Sequence, residues 1–256
     1  MEAFLASLGS VAGPAESLVL PAAAVFTRVS LLVFLLPGLS ARAVPVRVRL
    51  AAALAITFLL LPAAAPRVPQ SDLVPLLFGE ALAGAYLALA FRLLIFVLSI
   101  AGTVISQAMS LSQVLGAALT EAPDTTVATL LSVTGAALFV TLGLHIEAIG
   151  VLLRSYESLP PSGLGGATPE MAERLLRGFA DGLALGLSLA LPFVLMNLAY
   201  YALLGLMNKA MPQLMVTFVG MPAITFAGLC FLAAGVATVL TVWLGQGAGL
   251  TRAILP

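Results

Sequence analysis

An all-α, multi-helix membrane-associated protein of kinked helical hairpins is the fold class that three features of the sequence predict. The first is composition. Of 256 residues, 61% are hydrophobic and 9% charged, where soluble chains carry about 25% charge. The second is the placement of charge. None occurs from Gly182 to Asn208 or from Ala210 to Thr251, so Lys209 stands alone between two long apolar runs. The third is the recurrence of apolar runs broken by Pro, Gly and Arg. The chain has room for roughly five to seven spans of about 20 residues each.

Composition also excludes function classes. The 11 basic residues balance the 11 acidic ones, which leaves no electrostatic footprint for nucleic acid. One cysteine, Cys230, allows no disulfide framework or metal cluster within one chain. There is no Walker motif, GxGxxG, HExxH or GxSxG. No catalytic, cofactor-binding or metal-binding residues are therefore expected, and the chain reads as no enzyme. Glu2 and Glu16 precede the first basic residue, Arg28. That is not the start of a cleavable signal, so the first apolar stretch is expected to insert and stay.

The elements follow in order. Residues 1–17 are short and mildly polar, and 18–39 are apolar apart from Arg28, ending at Pro37-Gly38. Ser40–Arg49 holds three arginines and leads into the apolar run 50–65. This predicts a helix, a basic loop and a second helix, with the loop on the cytoplasmic side. After a short Pro-containing link comes Leu73 to about Ile105, interrupted by Glu80 and Arg92. Twelve positions apart on a helix, these two point about 120° apart, so each needs a partner on another helix or another chain.

Residues 106–126 mix hydroxyls, amides and small residues with Leu, Met and Val, and close with Glu121, Pro123 and Asp124. They form either an exposed loop or a loop folded into a channel, because irregular backbone at membrane depth needs protein or a water-filled cavity around it. Residues 127–153 are one apolar run with His145 and Glu147 near its end. On a helix these point about 200° apart and make no local dyad. The stretch 154–168 is the most loop-like. Thr168 then suits an N-cap and Pro169 the first helical position. Glu170 with Arg174, and Glu173 with Arg177, are i,i+4 pairs of favourable orientation.

The charge-free part of the next run would span roughly 40 Å as a helix, more than the ~30 Å hydrocarbon core. Tilt or a kink at Pro192 would accommodate it. Asn208, Lys209, Pro212, Gln213 and Pro222 then mark a polar elbow followed by a broken second helix. Ala81…Ala85 and Gly182…Gly186 place small residues four apart, the spacing of closely approaching membrane helices. The carboxylates Glu80, Glu147 and Asp181 lie in or near predicted spans. Such groups are either ion-coupling sites, as in a secondary transporter, or partners of Arg28, Arg92 or a neighbouring subunit.

Three blocks together carry a resemblance: Val44–Pro62; His145–Pro160; and Leu191-Pro192 with Leu204–Gln213 and Gly220-Met-Pro222. The chain resembles the flagellar biosynthetic protein R family (FliR), which is related to a subunit of injectisome export machinery. The resemblance implies a non-enzymatic subunit of the flagellar type III protein export gate, in the bacterial inner membrane at the flagellar basal body, that passes unfolded substrates. It implies the flagellar P and Q export-gate subunits, the flagellar B and A export proteins and membrane lipid as partners, and no cofactor. It divides the chain into a P-like portion, 1–177, and a Q-like hairpin, 178–256, with the elbow at its tip. It assigns a channel plug near 109–124, including Met109, Leu111, Val114, Leu115, Leu119, Glu121, Pro123 and Asp124. Ser110 stands there where the family often has glycine.

Overall fold

Seven α-helices and one short 3₁₀ turn make up the regular structure of the described residues. The computed structural model describes residues 2–40, 44–69, 72–109, 126–161, 169–210 and 216–255, with backbone only for 2–17, 216–219 and 221. No strand occurs among them. The helices are α1 (Glu2–Leu35), α2 (Val46–Ala64), α3 (Leu73–Ala108), α4 (Thr126–Thr141), α5 (Leu144–Ser158), α6 (Pro169–Ala210) and α7 (Val216–Ile254). Five stretches, in α1, α2 with its 3₁₀ extension, α3, α6 and α7, are long and apolar enough to cross a membrane. Counting the bent pair α4–α5 as one span makes up to six.

Several elements differ from the sequence reading, each for a local reason. Residues 2–17 continue α1 without interruption, through Gly13-Pro14; Glu and Ser are tolerated in a helix, and a proline removes one backbone hydrogen bond without having to end it. The stop comes after Leu35, where Gly38 takes φ 89°. Arg47 and Arg49 are not in a loop but in the first turn of α2, which Pro45 precedes with an extended ψ of 144°. Pro is suited to a helix start because it has no N–H to leave unsatisfied. The run 127–153 is two helices. Gly143, at φ 74°, is the N-cap of α5, and the helix axes bend by 69° there. Only a residue without Cβ takes that left-handed conformation readily.

The second helix of the elbow pair is not broken. α7 runs through Pro222, whose missing N–H removes only one bond near the helix start. α6 likewise runs through Pro192, and its 42 residues extend about 63 Å at 1.5 Å per residue. The irregular stretch 110–125 lies outside the described residues.

The chain divides into two compact units. One comprises Met1–Arg92, Phe139–Arg177 and Arg252–Pro256; the other comprises Leu93–Leu138 and Gly178–Thr251. In the first, α1 and α2 pack along each other, and Val25, Val29, Leu32, Ala53 and Leu60 are among the buried residues. Phe91 and Phe139 meet edge to face at 6.1 Å, and the Tyr86 hydroxyl donates to the Ile254 carbonyl. In the second, residues 93–108 of α3 are the common partner of the other helices. A methyl at Gly186 of α6 would lie 3.0 Å from the Val97 carbonyl oxygen, and one at Gly102 would collide with the Ala128 backbone of α4. Trp243 of α7, fully buried, donates Nε1–H to the Leu94 carbonyl at 2.8 Å. Glycine at these crossings lets backbones approach closely, which is how helices associate where the surroundings are as apolar as the side chains.

Candidate functional site

The densest polar site in the first unit is built on Arg28. α1 places it on the face that also buries Ala24, Val25 and Leu32, at helical spacing. Its side chain and that of Glu80 on α3 are each 1% exposed. Nε–H donates to Glu80 Oε2 at 2.7 Å and Nη2–H to Oε1 at 2.8 Å, a bidentate fork matched to the carboxylate plane. Nη1 donates one proton to the Ser155 carbonyl at 3.2 Å and the other to Ser155 Oγ at 3.1 Å. The remaining Nη2 proton goes to the Leu159 carbonyl at 2.9 Å. All five guanidinium donors are thus used, and the group stacks 4.2 Å over the Tyr156 ring.

Two physical consequences follow. The charge is paired where an unpaired one would be very costly. Arg28 also serves as a tertiary cap for α5: it adds a second donor to the Ser155 carbonyl, which already accepts from the Leu159 N–H at 2.8 Å, and supplies one to the Leu159 carbonyl, at a helix end that favours a cation. One turn beyond Glu80, Gly84 brings α3 against α1: a Cβ there would lie 2.6 Å from the Arg28 carbonyl oxygen. The cluster therefore fixes the register of α1, α3 and the end of α5. Its chemistry is that of a saturated structural ion pair, with no donor free for a ligand.

Of the charged residues that the sequence places in or near the spans, the structure brings together Arg28 and Glu80. Arg92, Glu147 and Asp181 are exposed and form no ion pair among the described residues. His145 is half-buried, with Nδ1 enclosed and without a hydrogen-bond partner. Glu173 and Arg177 pair at 2.5 Å along α6. Arg67 meets Glu157 at 3.0 Å on the surface. Among the described residues no group of three or more His, Cys, Asp and Glu could hold a metal ion.

In the second unit, Met109 follows α3 and is fully buried. Leu111, Val114, Leu115, Leu119, Glu121, Pro123 and Asp124 lie outside the described residues, as do Pro212 and Gln213. Asn208 and Lys209 occupy the last turn of α6 and are exposed, where a cation suits the helix C-terminus. Tyr200 and Leu204 of α6 face Gly220 of α7; a Cβ at Gly220 would come within 2.5 Å of the Tyr200 hydroxyl.

The sequence reading did not single out Ser155, Tyr156, Gly84, Trp243, Thr225 or Gly228. Trp243 had a signal, as the one tryptophan of the chain in an apolar run, since a buried indole N–H must find an acceptor. Ser155 and Tyr156 had none, because their partner is 127 positions away from Ser155.

Comparison with known proteins agrees across nearly the whole chain. The family of bacterial export proteins, family 1, matches residues 19–248. The flagellar biosynthetic protein FliR of Caulobacter vibrioides is 32% identical over 231 residues, covering 87% of this chain and 90% of that protein. FliR of Escherichia coli is 31% identical over 219 residues, covering 81% and 80%, and FliR of Pectobacterium carotovorum is 30% identical over 218 residues, with the same coverage of each. With the match running from the first apolar helix almost to the end of the last, the chain belongs to family 1 of the bacterial export proteins, the family of the flagellar biosynthetic protein FliR.

Proposed function

We propose that this chain is a non-enzymatic subunit of the flagellar type III protein export gate, and that it helps form and close the channel for unfolded export substrates. The observation that carries the reading is the family match over residues 19–248, together with relatives of similar length named as flagellar biosynthetic proteins. The five apolar helices support placement in a membrane, which this reading takes as the bacterial inner membrane at the flagellar basal body. Long exposed apolar surface on α6, including Leu191, Leu195, Leu198 and Leu203, suits helices covered by lipid or by neighbouring subunits. The partners in this reading are the flagellar P and Q subunits and the flagellar B and A export proteins. Residues 1–177 act as the P-like portion, and residues 178–256 as the Q-like hairpin that packs laterally through its elbow. The stretch Met109–Asp124 is the plug.

Deletion of residues 110–122 tests the closing role. Assembled complexes carrying it admit small solutes, and an unchanged permeability barrier refutes the plug assignment. Co-purification of the P and Q subunits with the tagged chain tests the class as a whole. Loss of that association in detergent conditions that preserve the other export subunits' complex refutes it.

A further inference from the structure

Met109, the residue that follows α3, is held by α7 through two separate contacts. The helical ladder reaches Met109, whose N–H donates to the Ile105 carbonyl at 3.0 Å. Its own carbonyl faces α7. Thr225 of α7, 116 positions along the chain, supplies the donor: Oγ1 lies 3.1 Å from it. Gly228 is three positions further and therefore on the same face of α7. A methyl there would lie 2.5 Å from Met109 Cγ, 2.9 Å from Cε and 3.1 Å from Cβ. The Met109 side chain is 0% exposed, so it has no solvent-facing route by which to make room. A polar grip on the backbone and a steric notch for the side chain converge on one residue.

We propose that Thr225 and Gly228 are positioning residues that latch the end of α3 to α7, and so set the point from which the closing stretch departs. This rests on the reading of that stretch as a plug. The latch makes α7, and through it the α6–α7 hairpin, the reference for closure: a shift of α7 relative to α3 pulls on Met109 directly. Thr225 acts through the Met109 carbonyl and Gly228 through the space it leaves; neither needs to touch an exported chain.

The test uses the full chain in cells that carry the remaining export subunits, with entry of o-nitrophenyl β-galactoside into permease-deficient cells as the leak assay. Gly228→Ala displaces Met109 and raises entry by about tenfold, equivalent to ~1.4 kcal/mol of bias towards the released position. Thr225→Val leaks in the same direction. Met109→Ala combined with Gly228→Ala removes Cγ and Cε, keeps the carbonyl grip, and brings entry back to within a few-fold of the parent, a rescue that general misfolding would not give. In a Cys230→Ser background, the pair Met109→Cys and Gly228→Cys joins on copper-phenanthroline oxidation. Absence of that crosslink in a normally accumulating protein overturns the latch. An unaltered barrier in Gly228→Ala, when deletion of 110–122 leaks, also overturns it. No leak from the deletion itself overturns the plug reading instead, and the crosslink still reports on the latch.

Discussion

Removing Arg28 tests whether the buried cluster is a simple ion pair or a three-helix tie. Arg28→Met removes five hydrogen bonds at once and leaves Glu80, 1% exposed, with no partner. Breaking a buried pair from one side costs about 3–5 kcal/mol, because the surviving charge is stranded. Against a total stability of roughly 5–15 kcal/mol, that is a large share, and it lowers the folded-to-unfolded ratio by roughly 10²–10⁴-fold. The double variant Arg28→Met/Glu80→Leu strands no charge. It still loses the donors to Ser155 and Leu159; the Leu159 carbonyl is left without that partner, at a cost of about 1–3 kcal/mol, while the Ser155 carbonyl keeps the Leu159 N–H. The double variant therefore lies between the parent and either single change. The discriminating variant is the exchange Arg28→Glu/Glu80→Arg. It keeps opposite charges on α1 and α3 but turns a carboxylate towards the carbonyls at 3.2 and 2.9 Å from the present guanidinium. The exchange is expected to be no better than Arg28→Met. Accumulation in the membrane and thermal unfolding of the detergent-purified chain measure all four variants as a cycle. Restoration to the parent level by the exchange would refute the tie to α5 and leave only a pairwise bridge.

Three further outcomes are expected. Gly84→Ala places a methyl 2.6 Å from a backbone oxygen that cannot rotate away; the overpacking costs about 1–3 kcal/mol, seen as a lowered melting temperature, whereas Gly205→Ala, with nothing within 4 Å, is neutral. Trp243→Phe loses the 2.8 Å bond to the Leu94 carbonyl and part of the indole's volume, so it costs more than the ~1 kcal/mol of the hydrogen bond alone, while Trp243→Ala costs about 3–5 kcal/mol in the same melt. Lys209→Glu reverses the exposed charge at the C-terminus of α6 and reduces swimming and secretion of flagellar subunits more than it reduces membrane insertion; normal secretion would make the elbow a mere linker.

Much of the helical architecture was legible in composition. Long apolar runs are forced into helices because backbone polar groups in an apolar setting must bond within their own segment. The positions of Pro169 and Gly38 marked a start and a stop by local stereochemistry alone. Two local features were misread for local reasons. Gly143 breaks an apolar run by its φ of 74°, which no hydropathy pattern shows. Pro222, read as a break, lies inside the continuous α7, where its missing N–H removes one bond near the helix start.

By itself the sequence determined that the chain folds as apolar helices and that it resembles the FliR family, since both depend on residue types and local spacing. Only the tertiary structure decided which charge meets which. Glu80 and Arg92 share a helix, yet Glu80 is buried on Arg28, 52 positions away, and Arg92 is exposed. The same holds for the Met109 grip by Thr225 and Gly228 and for the Trp243 bond to Leu94. Each joins positions more than a hundred residues apart, and such contacts are set by where helix faces meet, not by any period along the chain.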